Sequence, residues 1–475
     1  MGYAIGILAA FVLILAIRAF LFRPYPQAEV PACTLAVDKE RAVANLAKMV
    51  QCRTVSSKEE GRVEEGEFEK FRQLLPENYP LVHSHCEFWR VGPNGLLYRW
   101  PGKRGEKPTV FMAHYDVVPA AAQDWQHPPF AGVIDQDCLW GRGTLDTKGT
   151  LCAILEGAEL LIGQGFVPEN DIYLSFGGDE EVDGTGAAGI VEFLRERGVK
   201  PHLVLDEGGA IVEKDIPGVP GKYALVGTGE KGKLHLRLSV QSRGGHASSP
   251  PPRSPVGVLA RAVVRVEKKP FAFRLAKPVA QMFDVLGRHA GFALKLLYAN
   301  LDLFAPLLGL AGRMLGGEVN ALVRTTVAFT KMQASEAVNV FPPAASVEAD
   351  VRLMEGSTKE SVLAGLKKRI DNKEVKIEAL GVIPVAPFSE MGGEAWQRLE
   401  EAIRAVWPGI PVSPYLMVAA SDSRQYTAIC ENVFRFAGME LSAAERRMIH
   451  GTDERIPLAK IETAVKFFAC LMQKS

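Results

Sequence analysis

A chain of 475 residues, 47% hydrophobic and 23% charged, is too long for one ordinary core and too apolar for disorder, so two folded domains are expected. Lys+Arg and Asp+Glu are equal at 55 each, which leaves no net basic field to favour nucleic acid as a partner. Met1 to Ile17 carries no charged side chain, and Ala19–Phe22 extends the apolar run past Arg18. This approaches the ~20 residues that an apolar helix needs to cross a bilayer, with Arg18 placed to reach the headgroups. Residues 1–24 are therefore read as a single-pass N-terminal membrane anchor and 25–35 as a polar, proline-containing linker. A cleaved signal, which would give a secreted product, is the rival; the usual positive n-region and a small-x-small cleavage site are both missing. Arg18 and Arg23 follow the span and by the positive-inside rule favour a cytoplasmic body, but the side stays open.

From about Val37 short apolar strands alternate with amphipathic helices, an α/β signature. Strands are expected at Thr109–Ala113, Ile172–Phe176 and Leu203–Leu205. A helix is expected from Lys148 to Leu161, where Leu151, Ile154, Leu155, Ala158 and Leu161 fall at helical spacing. The character changes near Gly229. Leu234–Val240 alternates strictly, as a half-buried antiparallel strand does, a helix is expected over Pro255–Lys268, and a second alternating strand over Ser346–Leu353.

The expected architecture is thus a catalytic domain in two parts, 36–230 and 357–475, built on a mixed, mostly parallel sheet flanked by helices. An α+β domain, 231–356, is inserted between them. Its segment near 279–317 is strongly apolar; a packed helical pair is the ordinary home of such a run, and an exposed surface for a membrane or lipid-like substrate is the alternative. Seven cysteines are scattered without a C-x-x-C pair, which argues against cysteine-held zinc and against a disulfide framework, so free thiols are expected.

Acidic and histidine residues cluster where the expected strands end, the place where an open α/β sheet keeps its ligands. His114 and Asp116 in Ala113–Asp116 lie two apart and share a strand face, so Asp116 is placed to fix the imidazole. In Gly141–Gly149 a single acid, Asp146, precedes a helix; it can cap that helix or bridge two cations. Asp179–Glu180–Glu181 and Asp206–Glu207 follow further strands, and His450 stands alone near the C-terminus. Singly, each motif has a bland structural reading. Together His114, Asp146, Glu181, Asp206 and His450 make two imidazoles and three carboxylates, a set suited to zinc, cobalt or manganese. With one carboxylate shared, the set fills two metal sites, and Glu180 is the candidate to take a proton from water.

These motifs, in this order, resemble the di-zinc metallopeptidase family of carboxypeptidase S, aminoacylase and glutamate carboxypeptidase. The resemblance rests on AHYDVVPA, GRGTLDTKG, GGDEE, LDEGG, GGHASSPP, NVFPP, SDSR and IHGTDE and runs from about Val43 to Lys474. It is strongest to the carboxypeptidase S branch, which also contains enzymes that make and hydrolyse N-fatty-acyl amino acids. It implies two Zn2+, with Co2+ or Mn2+ as substitutes, and Asp146 as the bridge. His114 and Asp206 would complete one site, Glu181 and His450 the other, with Asp116 orienting His114 and Glu180 as general base and then acid.

The inserted domain would be the family's ferredoxin-like lid or dimerisation domain, whose His246 stabilises the oxyanion. In dimeric relatives that histidine acts on the partner's site, so a homodimer is left open. Arg424 would hold the substrate carboxylate and Asn339 would help bind substrate from the lid. Two departures stand out: Gly178 replaces a common Thr or His, and Thr147 replaces a common acid. The activity implied is hydrolysis of an amide or peptide bond beside a free carboxylate, in small peptides or N-acyl amino acids. N-fatty-acyl amino acid hydrolysis and synthesis is the alternative, and a catalytically silent membrane-tethered binding protein is the alternative of another class.

Overall fold

The structure, a computed structural model, describes residues 2–59 and 61–475. The apolar N-terminus is a single helix, α1 (Gly2–Leu21), and Tyr3–Leu21 is long and apolar enough to cross a bilayer. Helices α2 (Lys39–Val50) and α3 (Lys148–Gly163) follow. On α3 the expected apolar positions Leu151, Ile154, Leu155, Ala158 and Leu161 are all fully buried. Each fully buried leucine or isoleucine contributes about 1.5–3 kcal/mol by leaving water.

Seven strands come first in the large sheet: β1 (Glu87–Val91), β2 (Gly95–Trp100), β3 (Arg104–His114), β4 (Asn170–Gly177), β5 (Leu203–Asp206), β6 (Ile211–Glu213) and β7 (Lys222–Glu230). Four further strands make a second sheet: β8 (Gly232–Gln241), β9 (Thr326–Gln333), β10 (Ala344–Leu353) and β11 (Lys376–Ile383). Then β12 (Val412–Met417) and β13 (Val433–Arg435) return to the first. The large sheet has the order β1-β2-β4-β3-β5-β13-β7-β12, with β6 paired to β7. Helices cover it, so β4 is buried along its whole length and reads as a near-continuous apolar run rather than an alternation.

The expectation of a mostly parallel sheet is corrected. Parallel pairing holds for β4-β3-β5-β13 and for β7-β12, whereas β1-β2, β2-β4, β13-β7 and β6-β7 are antiparallel. Short connections join the antiparallel pairs β1-β2 and β6-β7, while the parallel centre needs the long crossovers through α3 and its neighbours.

The second sheet, of order β9-β10-β8-β11, is antiparallel throughout. In β8 and β10 burial alternates residue by residue, as their sequences anticipate. Leu234, Leu236 and Leu238 face α4 (Pro255–Lys268), whose Val258, Leu259 and Ala262 complete this separate core. Ser254 Oγ accepts the Gly257 amide and Pro255 opens the helix, so it starts where the sequence indicated. The apolar stretch forms α5 (Lys277–Gly287), α6 (Phe292–Tyr298) and α7 (Leu301–Leu315). Helix α8 (Lys359–Ile370) packs on α4, and β11 pairs with β8, so this layer runs on past residue 356, its expected end. Helices α9 (Glu394–Val406) and α10 (Leu458–Met472) close the chain, with α10 packed on α3 and α9.

A second correction concerns the thiols. Cys33 and Cys470 form a disulfide across 437 positions of sequence. The Cys33 amide donates to Ala405 O at 2.8 Å, which holds the linker against α9 beside the end of α10.

Candidate metal centre

The ends of β3, β4 and β5 meet at one edge of the large sheet, and the residues just beyond them converge. His114, the last residue of β3, is almost completely buried. Its Nδ1 lies 3.0 Å from the Asp116 carbonyl oxygen and 3.3 Å from Asp116 Oδ1. A carbonyl only accepts, so Nδ1 carries the proton and Nε2 is the atom turned to Asp146 Oδ1, 2.9 Å away. Asp116 is wholly buried and does more than orient the imidazole. It accepts from Ser56 Oγ at 2.7 Å and from the amides of Glu180 and Glu181 at 3.2 and 3.1 Å, tying two strand ends together.

Asp146 bridges the arrangement. Its Oδ2 lies 3.0 Å from His450 Nε2, so its two oxygens face two imidazoles. The loop that carries it is organised from the far end of the chain. Glu454 Oε1 accepts from the amides of Gly143, Leu145 and Asp146 at 3.1, 2.8 and 3.3 Å, and Oε2 pairs with Arg142 Nη1 at 2.7 Å. Both side chains are buried. Glu454→Ala is therefore expected to strand the Arg142 charge and lower stability by roughly 3–5 kcal/mol, readable as a fall in the denaturant midpoint. An unchanged midpoint would remove this clamp from the account.

Thr147 and Gly178 each meet a specific local constraint. Thr147 Oγ1 accepts the His114 amide and donates to the His114 carbonyl, each at 3.0 Å, so a hydroxyl does positional work there. At Gly178 a Cβ would lie 2.4 Å from the ring of Tyr115, which stacks on Phe71 at 4.8 Å.

After β4, Asp179 accepts the Thr185 and Gly186 amides and fixes the acidic turn. Glu181 Oε2 then lies 3.0 Å from His450 Nε2. His450 sits on a left-handed residue (φ 58°), which turns its side chain back toward the cluster.

At the end of β5 a neighbour of the expected Asp206 lies nearer the cluster. Asp206 lies on the face of Val204, and its Oδ2 accepts the Ser423 amide at 3.0 Å. Alternation sends the next residue the other way: Glu207 Oε1 lies 3.6 Å from His114 Nε2. Glu207 was missed from sequence, although strand parity with Val204 was the available signal. At the following Gly208 (φ +127°) a Cβ would lie 2.3 Å from Met417 Sδ, so only glycine fits the turn.

Two overlapping groups can each hold a cation, namely His114, Asp146 and Glu181, and His114, Glu180 and Glu207. Among the described residues the buried Glu181 Oε1 has no hydrogen-bond partner, which is what a carboxylate aimed at a cation looks like. The electrostatics agree. Burial, then Asp146, pushes the Glu207 carboxyl well above its usual range, and burial does the same to Glu180. His450 is pushed up to about 10 by Asp146 and Glu181. Burial works against a charged His114, but Glu207, Asp116 and Asp146 prevail and raise it well above the imidazole range. Crowded carboxylates around two imidazoles are relieved by cations, which reverse these directions.

The remaining expected residues lie apart. His246 and Asn339 meet on a short ribbon, Gly245–His246 against Val340–Phe341, where the Ala247 amide donates to Asn339 O at 3.0 Å. His246 is exposed and its Nδ1 contacts Ser248 Oγ at 2.6 Å; among the described residues no hydrogen bond or ion pair joins it or Asn339 to the cluster. Arg424 donates to Ser421 O at 2.8 Å and lies 3.9 Å from Asp183, not paired with the neighbouring Asp422. Burial and Asp206 push the Asp422 carboxyl up to about 7, against the pull of Arg424 and His114.

A sequence pattern described as peptidase family M20/M25/M40 matches residues 110–474. The chain is 35% identical over 440 residues to "Probable carboxypeptidase S-like 2" of Dictyostelium discoideum, covering 90% of this chain and 84% of that one. It is 34% identical over 446 residues to "N-fatty-acyl-amino acid synthase/hydrolase PM20D1" of Xenopus tropicalis, covering 92% and 86%. Among solved structures, a metallo-carboxypeptidase from Sulfolobus solfataricus superimposes with a TM-score of 0.67 at 17% identity, covering 91% of this chain and 98% of that one. Human carnosine dipeptidase 1 gives 0.66 at 14% identity, with 92% and 96% covered.

Proposed function

The chain belongs to peptidase family M20/M25/M40, and from that premise we propose that this metallohydrolase cuts an amide bond beside a free carboxylate in small peptides or N-acyl amino acids. The observation that carries the reading is Asp146, whose two oxygens each face a different imidazole. We assign His114, Asp146, Glu181, Glu207 and His450 as ligands of two zinc ions, with cobalt or manganese as fitting substitutes. Two such ions, when bound, supply carbonyl polarisation and a more acidic water.

The protein's own groups do the rest. Glu180, half-buried beside His114, takes the proton of the attacking water and returns it to the leaving amine. Asp116 holds His114 and the Glu180–Glu181 backbone in register. Arg424 receives the substrate carboxylate, for which a planar guanidinium is suited. His246 and Asn339, remote from the cluster of their own chain, fit a homodimer in which His246 donates to the oxyanion of the partner's site. The layer 231–383 then serves as lid and dimerisation domain, and residues 1–24 as a membrane anchor. The Cys33–Cys470 disulfide favours an oxidising compartment for the body, against the side that Arg18 and Arg23 indicate.

A second reading, N-fatty-acyl amino acid hydrolysis and synthesis, is favoured by the relatives of that name and by the apolar α6–α7 surface. One panel on zinc-loaded protein decides: N-oleoyl amino acid, N-acetyl amino acid and dipeptide, each as free carboxylate and as C-terminal amide. Turnover restricted to the free carboxylates is expected, and equal turnover of the amides would reject the proposal. Preference for the oleoyl compound selects the second reading.

A further inference from the structure

Helix α7 is apolar on both sides but covered on one. Its inner residues Leu308 and Ala311, with Leu294 and Leu297 of α6, line a cavity of about 180 Å3 over the large sheet. Gly309 is buried against Phe273. On the outer side Leu303, Leu307, Leu310 and Met314 recur at spacings of four, three and four and form one stripe, each about half exposed or more. Phe292 of α6 adds to it. A stripe of this kind marks a surface that another apolar phase covers.

The neighbouring helix indicates which phase. The end of α1 packs on this hairpin: Asn300 Nδ2 donates to Leu15 O at 3.3 Å, and Arg18 pairs with Asp302 at 3.2 Å. Beyond it the Arg288 guanidinium covers the rings of Phe22 and Tyr25, and Tyr25 donates to Asp284 at 2.7 Å. These arginines and aromatics are the residue types that gather at headgroup level. Depth can be counted along α1. From Leu15 to Leu21 are six residues, or ~9 Å at about 1.5 Å each. A helix lying in the interface sinks by roughly 5–10 Å, so a membrane-spanning α1 carries the hairpin to that level.

We infer that the outer face of α6–α7 lies in the interfacial layer of the bilayer that α1 crosses, so that the body rests on the membrane through this hairpin instead of hanging from a free tether. The inference depends on α1 being an anchor. Its test uses the full chain in phosphatidylcholine vesicles containing chain-brominated lipid, with one tryptophan added at a time. Leu310→Trp is expected to be quenched nearly as strongly as Phe11→Trp, and Val338→Trp, fully exposed on the remote ribbon side, to be spared. Quenching at position 11 but not at 310 overturns the hairpin's docking alone. An unquenched Phe11→Trp overturns the anchor, and the docking with it. Emission from Leu310→Trp that responds to protein concentration but not to bromine assigns the face to a second copy of the chain, which also overturns the inference.

Discussion

Glu180→Gln is expected to lower turnover by roughly a hundredfold to ten-thousandfold, the range that a positioned proton carrier contributes, while the metal content of the protein stays at the wild-type value. The amide matches the carboxylate in size, and the Glu180 backbone is held independently by the Asp116 carboxylate at 3.2 Å, so the turn survives the change. What is lost is the proton-accepting oxygen. Burial already raises this carboxyl, which suits it both to accept a proton and to surrender it later. Turnover assayed beside elemental metal analysis separates the two effects. Wild-type turnover with full metal would remove Glu180 from the chemistry, and loss of metal would make it a ligand.

The second large effect distinguishes two adjacent acids. Glu207→Gln is expected to weaken metal binding by more than the roughly 10–100-fold that a change behind the ligands costs. Asp206→Asn is expected to keep the metal and to lose about 1–3 kcal/mol of stability, because the Ser423 amide loses its charged acceptor. Calorimetric metal titration and denaturant unfolding of both variants give the comparison. The reverse pattern would restore Asp206 as the ligand and leave Glu207 a bystander.

That pair also indicates where sequence reading stops. His114, Asp146, Glu181 and His450 were legible because each sits in a short motif at a strand end, and the structure brings those four together. Choosing between Asp206 and Glu207 needed the direction of one side chain at the last residue of β5, which depends on pairing with β3 and β13 and not on the motif itself. Local patterns likewise set α3, α4, β8 and β10, whose periodicity is written in contiguous residues. Pairing between distant segments was not legible. The antiparallel pairings within the large sheet, the recruitment of β11 to the second sheet and the Cys33–Cys470 bond all join positions that carry no shared local signal. Glu454 was hidden for the same reason: it reads as one more acid in IHGTDE until its amide donors, more than 300 positions earlier, are seen.

The Cys33–Cys470 bond also decides how the molecule bears load. A pull on α1 that breaks its contacts with the α6–α7 hairpin reaches Cys33 next and passes into the end of α10, which is packed against α3, α2 and α9. Tension that reaches the disulfide therefore enters the body through a core-packed helix and not through the edge strand β1. A cut in any surface loop between the two cysteines leaves the fragments on one covalent piece, so a nicked protein keeps both of its ends attached.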